Sequence, residues 1–455
     1  MSTRESPVCG SLHRVTLNGP SKGAYARRRD AVLARLDRAV LFVPGAPEAV
    51  YSNDVHYPYR PDSYVRYLSG FEEPANLVLA RTGAETDGFT LFVRPRDPQA
   101  ETWTGERAGV EGARERFGAD GAFTLEETFA VLEKALGRAA TLFVVYSRDR
   151  AVNERVAELV HRINAGRPRA GGAPILVTEA SAILDEMRLF KSDEEIAVLR
   201  KACSIAGHAH RQIMETLRPG MHEYEVQASI EYAFRAGGCA GPAYGTIAAG
   251  GANATVLHYV RNDQPLADGE LLLLDAGGEF GGYCADVTRT MPVGRTWSRA
   301  QAAVYDLVLA AQLKAIETIS PGVTHEEVHK TALRVLVDGM IALGLLHGSV
   351  DECIESEAYK AYYMHGTGHW LGMDVHDVGS YREGESSRRL QPGIVTTVEP
   401  GLYVRNDADA PEEYRGIGVR IEDDVVVTDT GREVLTSDAP KQRAEIEALR
   451  ARACS

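Results

Sequence analysis

Asp275 closes the run Leu271–Leu274, four consecutive leucines that demand a buried strand. A carboxylate at the end of such a strand is costly to bury alone, so the fold must bring it a partner. The residues that follow, AGGEFGGYCAD, end in a second carboxylate, Asp286. Glycines at 277, 278, 281 and 282 suit a tight hairpin. With Phe280 and Gly281 as the turn residues, Asp275 and Asp286 stand opposite each other on one face. Two carboxylates that close repel each other, and a divalent cation between them relieves both the repulsion and the cost of burial.

Three further stretches repeat the anomaly. In MHGTGHWLGMDVHDVG, His365, His369 and His376 sit among glycines. Gly366 and Gly368 oppose a helix, so His365 and His369 are expected on a loop or strand end. In IVTTVEPGLY, Glu399 ends a β-branched strand. In GIGVRIEDDVVV, Arg420 and Glu422 are two apart in a strand and share a face. Asp423 and Asp424 beside them read as an ordinary, exposed acidic strand end. A single carboxylate at a strand end is usually a solvated edge or a turn cap. Four such placements with His369 in a glycine-rich loop form a ligand set of four carboxylates and one imidazole. Hard oxygen donors with one nitrogen suit Mn²⁺, Co²⁺, Fe²⁺ or Zn²⁺. Four negative charges balance two divalent ions, which favours a dinuclear site.

Composition narrows the rest. The 455 residues suit two or three domains. A net charge of −14 repels phosphate backbones and anionic lipid, so neither nucleic acid nor membrane is an expected partner. Cysteines at 9, 203, 239, 284, 353 and 454 form no C-x-x-C pair and read as reduced thiols. The N-terminus, MSTRESPVCGSLHRV, lacks the apolar core of a signal peptide. No apolar run approaches the length needed to cross a bilayer. The expectation is a soluble, cytoplasmic protein.

Residues 1–20 read as a loose tail, and Tyr25 to Arg38 as a basic amphipathic helix. Apolar runs at AVLFV, 77–80, 89–93 and 140–146 alternate with helical stretches such as Val152 to Ile163, an α/β pattern. AGRPRAGGAP, residues 165–174, reads as a loop or linker. A long helix follows, capped by Ser192 with Glu195 three residues on. The second half mixes antiparallel-strand signals with more helices. The expected division is 1–178 and 179–455. The residues from Lys441 read as a charged, peripheral helix.

His325-Glu326-Glu327-Val328-His329 matches the zincin pattern H-E-x-x-H. It follows Pro321-Gly322, and Thr324 with Glu327 makes a capping box. The reading is a polar helix start on the surface, so replacing His325 should spare activity. His258 in VLHY reads, from its neighbours alone, as a packed strand histidine, and His376 likewise as a packing residue. Tyr403 is compatible with core packing or with a hydroxyl near the site. Asp54 in SNDVHYPYR suits a turn or a reach toward substrate. Trp103 in ETWTG suits a half-buried aromatic or a subunit contact.

LLLLDAGGEFGGYCADVTRTMPV, YYMHGTGHWLGMDVHDVG, VTTVEPGLYV and YRGIGVRIEDD resemble aminopeptidase P, the X-Pro aminopeptidase of the pita-bread metallopeptidases, a group that includes prolidase and methionine aminopeptidase. YPYRPDSYVRYLSGFEEPANLVL and LDEMRLFKSDEEIAVLRKA resemble that family's N-terminal domain and the start of its catalytic domain. The resemblance implies an α/β N-terminal domain beside an α+β pita-bread (creatinase/aminopeptidase-like) catalytic domain with a pseudo-twofold axis. It implies two divalent ions, Mn²⁺ first, held by Asp275, Asp286, His369, Glu399 and Glu422. Asp286 and Glu422 would bridge them, with Asp275 on one ion and His369 and Glu399 on the other. His258, His365 and His376 match non-ligand active-site histidines, and Arg420 a supporting arginine.

The implied reaction is hydrolysis of the bond between an N-terminal residue and a following proline, by a hydroxide bridging the ions with Glu399 as general base. His258 or His365 would face the developing oxyanion, His376 with Arg420 would relay a proton, and the substrate amine would lie near Asp275. The implied substrates are peptides with proline at the second position, and the implied assembly is a homo-oligomer, a dimer or tetramer. The alternatives are a prolidase acting on X-Pro dipeptides, a related dinuclear esterase, a non-catalytic pita-bread module that binds proteins, and, last, a zincin.

Overall fold

The computed structural model describes residues 19–84, 87–147, 149–170 and 172–453. Nearly all of the expected loose tail, with Cys9 and Cys454, lies outside them. The N-terminal half is built on a mixed six-stranded sheet. Its spatial order is Gly121–Thr124, Gly88–Val93, Ala75–Arg81, Ala39–Val43, Thr141–Val144, Leu176–Glu179. Ala39–Val43 runs antiparallel to Ala75–Arg81 and parallel to Thr141–Val144. Every residue of this strand is buried, because both faces of the sheet are covered. Leu41 and Val43 point into one core, Val40 and Phe42 into the other. The expected helix from Tyr25 to Arg38 is Lys22–Leu33, ending earlier at a turn, and the expected Val152 to Ile163 lies within Arg150–Gly166.

The second half pairs helices with small antiparallel sheets, twice. Asp193–Thr216 packs on Glu223–Ala236, beside strands Ile247–Gly250, Leu271–Asp275 and Thr288–Pro292. Arg299–Thr318 packs on His325–Ala342, beside Val395–Val398, Asp423–Thr428 and Gly431–Val434. Gly401–Val404 and Ile417–Arg420 form a further antiparallel pair.

Ser192 and Glu195 form the expected capping box. Glu195 is also buried: it pairs with Arg28 of the first helix at 3.1 Å and accepts from the Tyr283 hydroxyl at 2.9 Å. One cap thus ties the two halves together.

The C-terminal helix, Arg443–Ala453, is not peripheral. Ile446 and Leu449 enter the core, and the fully buried Arg450 guanidinium donates to the carbonyls of Met214, Pro292, Val293 and Gly294. Its aliphatic stem packs while its three nitrogens close four backbone acceptors, a pairing no local pattern reveals.

Candidate metal centre

The hairpin after Leu271–Asp275 turns at Gly281-Gly282, one residue later than expected. Both glycines have positive φ, 58° and 87°, which suits a turn that twists with its strands. The register therefore sets Asp275 opposite Thr288. Asp286 lies two residues before Thr288, diagonal to Asp275 rather than across from it, and still on the same face. The Tyr244 hydroxyl sits between them, 2.6 Å from Asp275 Oδ1 and 2.5 Å from Asp286 Oδ1.

His369 arrives from the other sheet. The segment Thr367–Trp370 lies along Thr396–Glu399: His369 N–H donates to Thr397 Oγ1, Thr397 N–H to the His369 carbonyl, and Glu399 N–H to the Thr367 carbonyl. Gly368 is obligatory here, since a Cβ would lie 2.0 Å from the Thr397 oxygen. The result places His369 Nε2 3.3 Å from Asp286 and 3.6 Å from Glu399. His369 Nδ1 donates to the Trp370 carbonyl at 3.0 Å, which points Nε2 toward the carboxylates and leaves it the nitrogen that would ligate a metal on giving up its proton.

Arg420, at the end of its strand, contacts Asp275 Oδ2 at 2.5 Å and Thr288 Oγ1 at 3.1 Å. Thr288 Oγ1 in turn donates to Glu422 at 2.7 Å. Asp275, Asp286, His369, Glu399 and Glu422 all face one cavity of about 630 Å³. His258, His365, His376, Arg420 and Tyr244 line it too, with Ile247, Leu257, Val260 and Val375 as its apolar wall.

Electrostatics single out the same groups. Burial, and each other's charge, raise the carboxyls of Asp275, Glu399 and Glu422, Glu399 to about 7. Burial works against a charged His369, but Asp286 and Glu399 outweigh it and push the imidazole up to about 9. His365 is held down at about 4 by burial and by Arg420. Four carboxylates can all ionise in one buried pocket only with compensating positive charge, and one guanidinium does not supply it. Atoms of Asp286, His369 and Glu422 lie within 4.8 Å of one another, a spacing one ion can span. The donor chemistry fits divalent metal.

The sequence of residues 197–429 matches the family described as metallopeptidase family M24, and residues 25–145 match the aminopeptidase P N-terminal domain. The Xaa-Pro aminopeptidase of Escherichia coli K12 is 42% identical over 433 residues, 94% of this chain and 98% of that protein.

The chain is an M24 metallopeptidase of the aminopeptidase P type.

Solved structures agree with this M24 assignment. Pseudomonas aeruginosa aminopeptidase PepP superposes with a TM-score of 0.92 at 44% identity, covering 96% of this chain and 99% of that one. Zinc-substituted E. coli aminopeptidase P in complex with product gives 0.91 at 41% identity, covering 96% and 99%. The fold is the α/β N-terminal domain with a pita-bread catalytic domain.

Several readings of the M24 sequence need correction. Asp423 and Asp424 are fully buried, not an exposed strand end. Asp423 pairs with Arg289 at 2.7 Å and with Lys441, which hold it at about 2 despite its burial. Asp424 accepts from the Asp286 N–H at 3.0 Å and from the Cys203 thiol at 3.2 Å. Burial raises its carboxyl well above the usual range. His258 is no packed strand histidine, for it sits exposed in a turn at the cavity rim. His376 is exposed at the same rim, its ring 4.4 Å from that of His369.

Thr324 and Glu327 do cap the helix, yet His325 and His329 turn inward from its start. Tyr403 is buried, its hydroxyl 2.9 Å from His365 Nε2 and 3.1 Å from Arg420. Asp54 lies in the exposed turn between Val50–Ser52 and Val55–His56, and Trp103 is 88% exposed. Tyr244 and Thr288 escaped sequence reasoning. Tyr244 sits in GPAYGTI, where nothing local marks it, and gains its place from the pairing of Gly241–Pro242 with Gly278–Glu279.

Proposed function

We propose that this cavity binds two divalent ions through Asp275, Asp286, His369, Glu399 and Glu422 and there hydrolyses the bond between an N-terminal residue and a following proline. Convergence of these five side chains on one cavity wall carries the reading. The Xaa-Pro specificity rests on relatives that bear that name and that the chain spans nearly end to end. Asp286 and Glu422 would hold both ions, together with Asp275 for one and His369 and Glu399 for the other. Retention of the full donor set supports a catalyst over a non-catalytic pita-bread module. Mn²⁺ is the first candidate among ions suited to four oxygens and a nitrogen.

Bound there, the ions supply Lewis acidity toward the scissile carbonyl and lower the pKa of water. The protein's side chains do the rest. Glu399, a half-buried carboxylate beside His369, takes the water's proton as general base. His258 at the rim is placed to donate to the oxyanion, an effect worth about 2.7–4 kcal/mol per donor elsewhere, while the neutral His365 lines the same wall with Nδ1 donating to the Gly366 carbonyl and Nε2 on the Tyr403 hydroxyl. His376 passes a proton outward, while Arg420 fixes Asp275 and its neighbouring hydroxyls. The peptide's amine lies on the Asp275 side, which limits cleavage to one residue. The division near residue 178, a dimeric or tetrameric assembly and a cytoplasmic location complete the reading. Among the described residues no helix is long and apolar enough to cross a membrane.

Metal analysis paired with a peptide panel tests this. Asp286→Ala or Glu422→Ala should abolish metal binding and hydrolysis together, and full activity in either would end the dinuclear reading. Tripeptides with proline second should be cleaved well. Turnover confined to X-Pro dipeptides would make the chain a prolidase.

A further inference from the structure

The helix His325–Ala342 begins with two histidines one turn apart, and the cavity described above does not include them. Their i, i+4 spacing sets both rings on one helix face. That face abuts the back of the segment carrying His369. His329 Nδ1 lies 2.9 Å from Thr367 Oγ1. Thr367 Oγ1 is also 2.7 Å from the Tyr363 hydroxyl, so the buried hydroxyl is bonded on two sides. His325 and Gly368 line the same small void between helix and segment. The His325 ring stands edge-on to Trp370 at 4.8 Å and to Tyr381 at 5.0 Å, and those two rings stack on each other at 4.7 Å. The Tyr381 hydroxyl accepts the Trp370 N–H. The segment Thr367–Trp370 is thus gripped from behind at its two ends, at Thr367 and Trp370, by the helix start and its aromatic neighbours.

The same four residues set the spacing of His369 and Glu399, through the ladder with Thr396–Glu399. Gly368 permits close approach but, lacking a side chain, contributes no packing of its own to hold the segment. The grip has to come from elsewhere.

The motif does not build a second metal site. Glu326, the residue a zincin would use as base, is exposed and pairs with Lys330 at 2.6 Å, away from the histidines. The void between helix and segment measures about 10 Å³, room for one water at most. Both imidazoles are already engaged with polypeptide.

We propose that His325 and His329 are positioning residues: they press Thr367–Trp370 against Thr396–Glu399 and so fix the distance and orientation at which His369 and Glu399 meet their ion. The proposal rests on the reading of His369 and Glu399 as ligands of one metal. Its consequence is selective. Loss of the grip weakens the ion held by His369 and Glu399 and leaves the ion on the Asp275 side bound. Outer-shell partners of metal ligands typically change metal affinity or activity by about 10–100-fold, which sets the expected size.

The test is calorimetric titration of metal-free full-length enzyme with Mn²⁺, alongside kinetics on a tripeptide with proline second. His329→Ala should weaken one of two binding steps by about tenfold or more and lower kcat at limiting Mn²⁺, with the other step unchanged. His329→Asn, whose amide nitrogen falls near Nδ1, should recover most of the loss. Thr367→Val keeps the volume and removes the hydroxyl that meets His329 and Tyr363; it should reproduce the His329→Ala defect even if that variant folds poorly. His325→Ala should act in the same direction.

Unchanged Mn²⁺ affinity at both steps in Thr367→Val and His329→Ala would overturn the proposal. So would equal weakening of both steps, or a defect that follows thermal stability and is not rescued by His329→Asn. A wild-type enzyme with no binding step sensitive to His369→Ala would instead refute the ligand reading, and that control separates the two failures.

Discussion

The Tyr244 hydroxyl bridges Asp275 and Asp286, within 2.6 Å of an oxygen on each. These two residues are diagonal on their hairpin, so no direct strand pairing fixes their separation. The phenol does so from a third segment. Tyr244→Phe keeps the ring and its packing and removes this tie. Metal affinity or kcat should fall by about 10–100-fold, with little change in melting temperature, as seen by titration and steady-state kinetics. Wild-type values for both would show that the hydroxyl is a bystander.

The loop that carries His376 is clamped from two sides, by Arg60 and Ser63 of the N-terminal domain and by Arg188 and Lys191. Arg60 donates to the Met373 carbonyl at 2.6 Å, to Asp374 at 3.1 Å and to Glu279 at 2.9 Å. Ser63 adds a bond to Asp374 at 2.8 Å, and Arg188 and Lys191 hold Asp377 at 2.6 and 2.9 Å. Arg60→Ala should let this loop drift and lower kcat by about tenfold or more, since small displacements of catalytic groups are costly. Arg60→Lys should recover only part, because one ammonium cannot reproduce a fork shared among three acceptors. Kinetics on a proline-second tripeptide decide; an unaltered kcat in the alanine variant dismisses the coupling.

Adjacent Asp423 and Asp424 should respond in opposite ways to neutralisation. Asp423 balances the fully buried Arg289, so Asp423→Ala strands a cation and should cost about 3–5 kcal/mol in urea unfolding. Asp424 meets no cation, and burial already favours its protonated form. Asp424→Asn retains an oxygen for the Asp286 N–H and should change stability by less than about 1 kcal/mol. Equal losses in the two variants would contradict the difference in their surroundings.

His210 is wholly buried and donates from Nε2 to the Ala276 carbonyl at 3.0 Å. Burial depresses it from 6.5 to about 3. The folded-state value lies below the unfolded one, so between them the unfolded chain binds the extra proton. Stability on this account is complete above pH 6.5 and falls as pH drops toward 3, by up to about 1.4 kcal/mol per pH unit. His210→Gln keeps a donor toward Ala276 and cannot titrate. Urea midpoints measured from pH 7 to 5 should decline less steeply in the variant, and parallel slopes would refute the assignment.

Much of the site is legible in the amino-acid sequence because its residues break local rules. A carboxylate after four leucines, another closing a β-branched strand, and histidines among glycines are anomalies visible within ten residues of chain. Caps such as Ser192 with Glu195 and Thr324 with Glu327 are legible for the same reason: both partners are sequence neighbours. What the sequence alone determined was therefore which acidic and histidine side chains meet at the cavity, the elements that present them and the type of fold.

Tertiary structure decided everything whose partner is distant. Arg289 meets Asp423 across 134 residues, and that meeting turns an apparent surface strand end into a buried ion pair. The hairpin turn moved by one residue, so that two glycines take the positive φ angles while Asp275 and Asp286 stay on one face. Tyr244, the inward-facing His325 and His329, and the buried Arg450 acquired their roles only from surfaces brought against them. Periodicity and spacing report a residue's chain neighbours. The cost of burying a charge or an imidazole is settled by whatever the fold packs beside it.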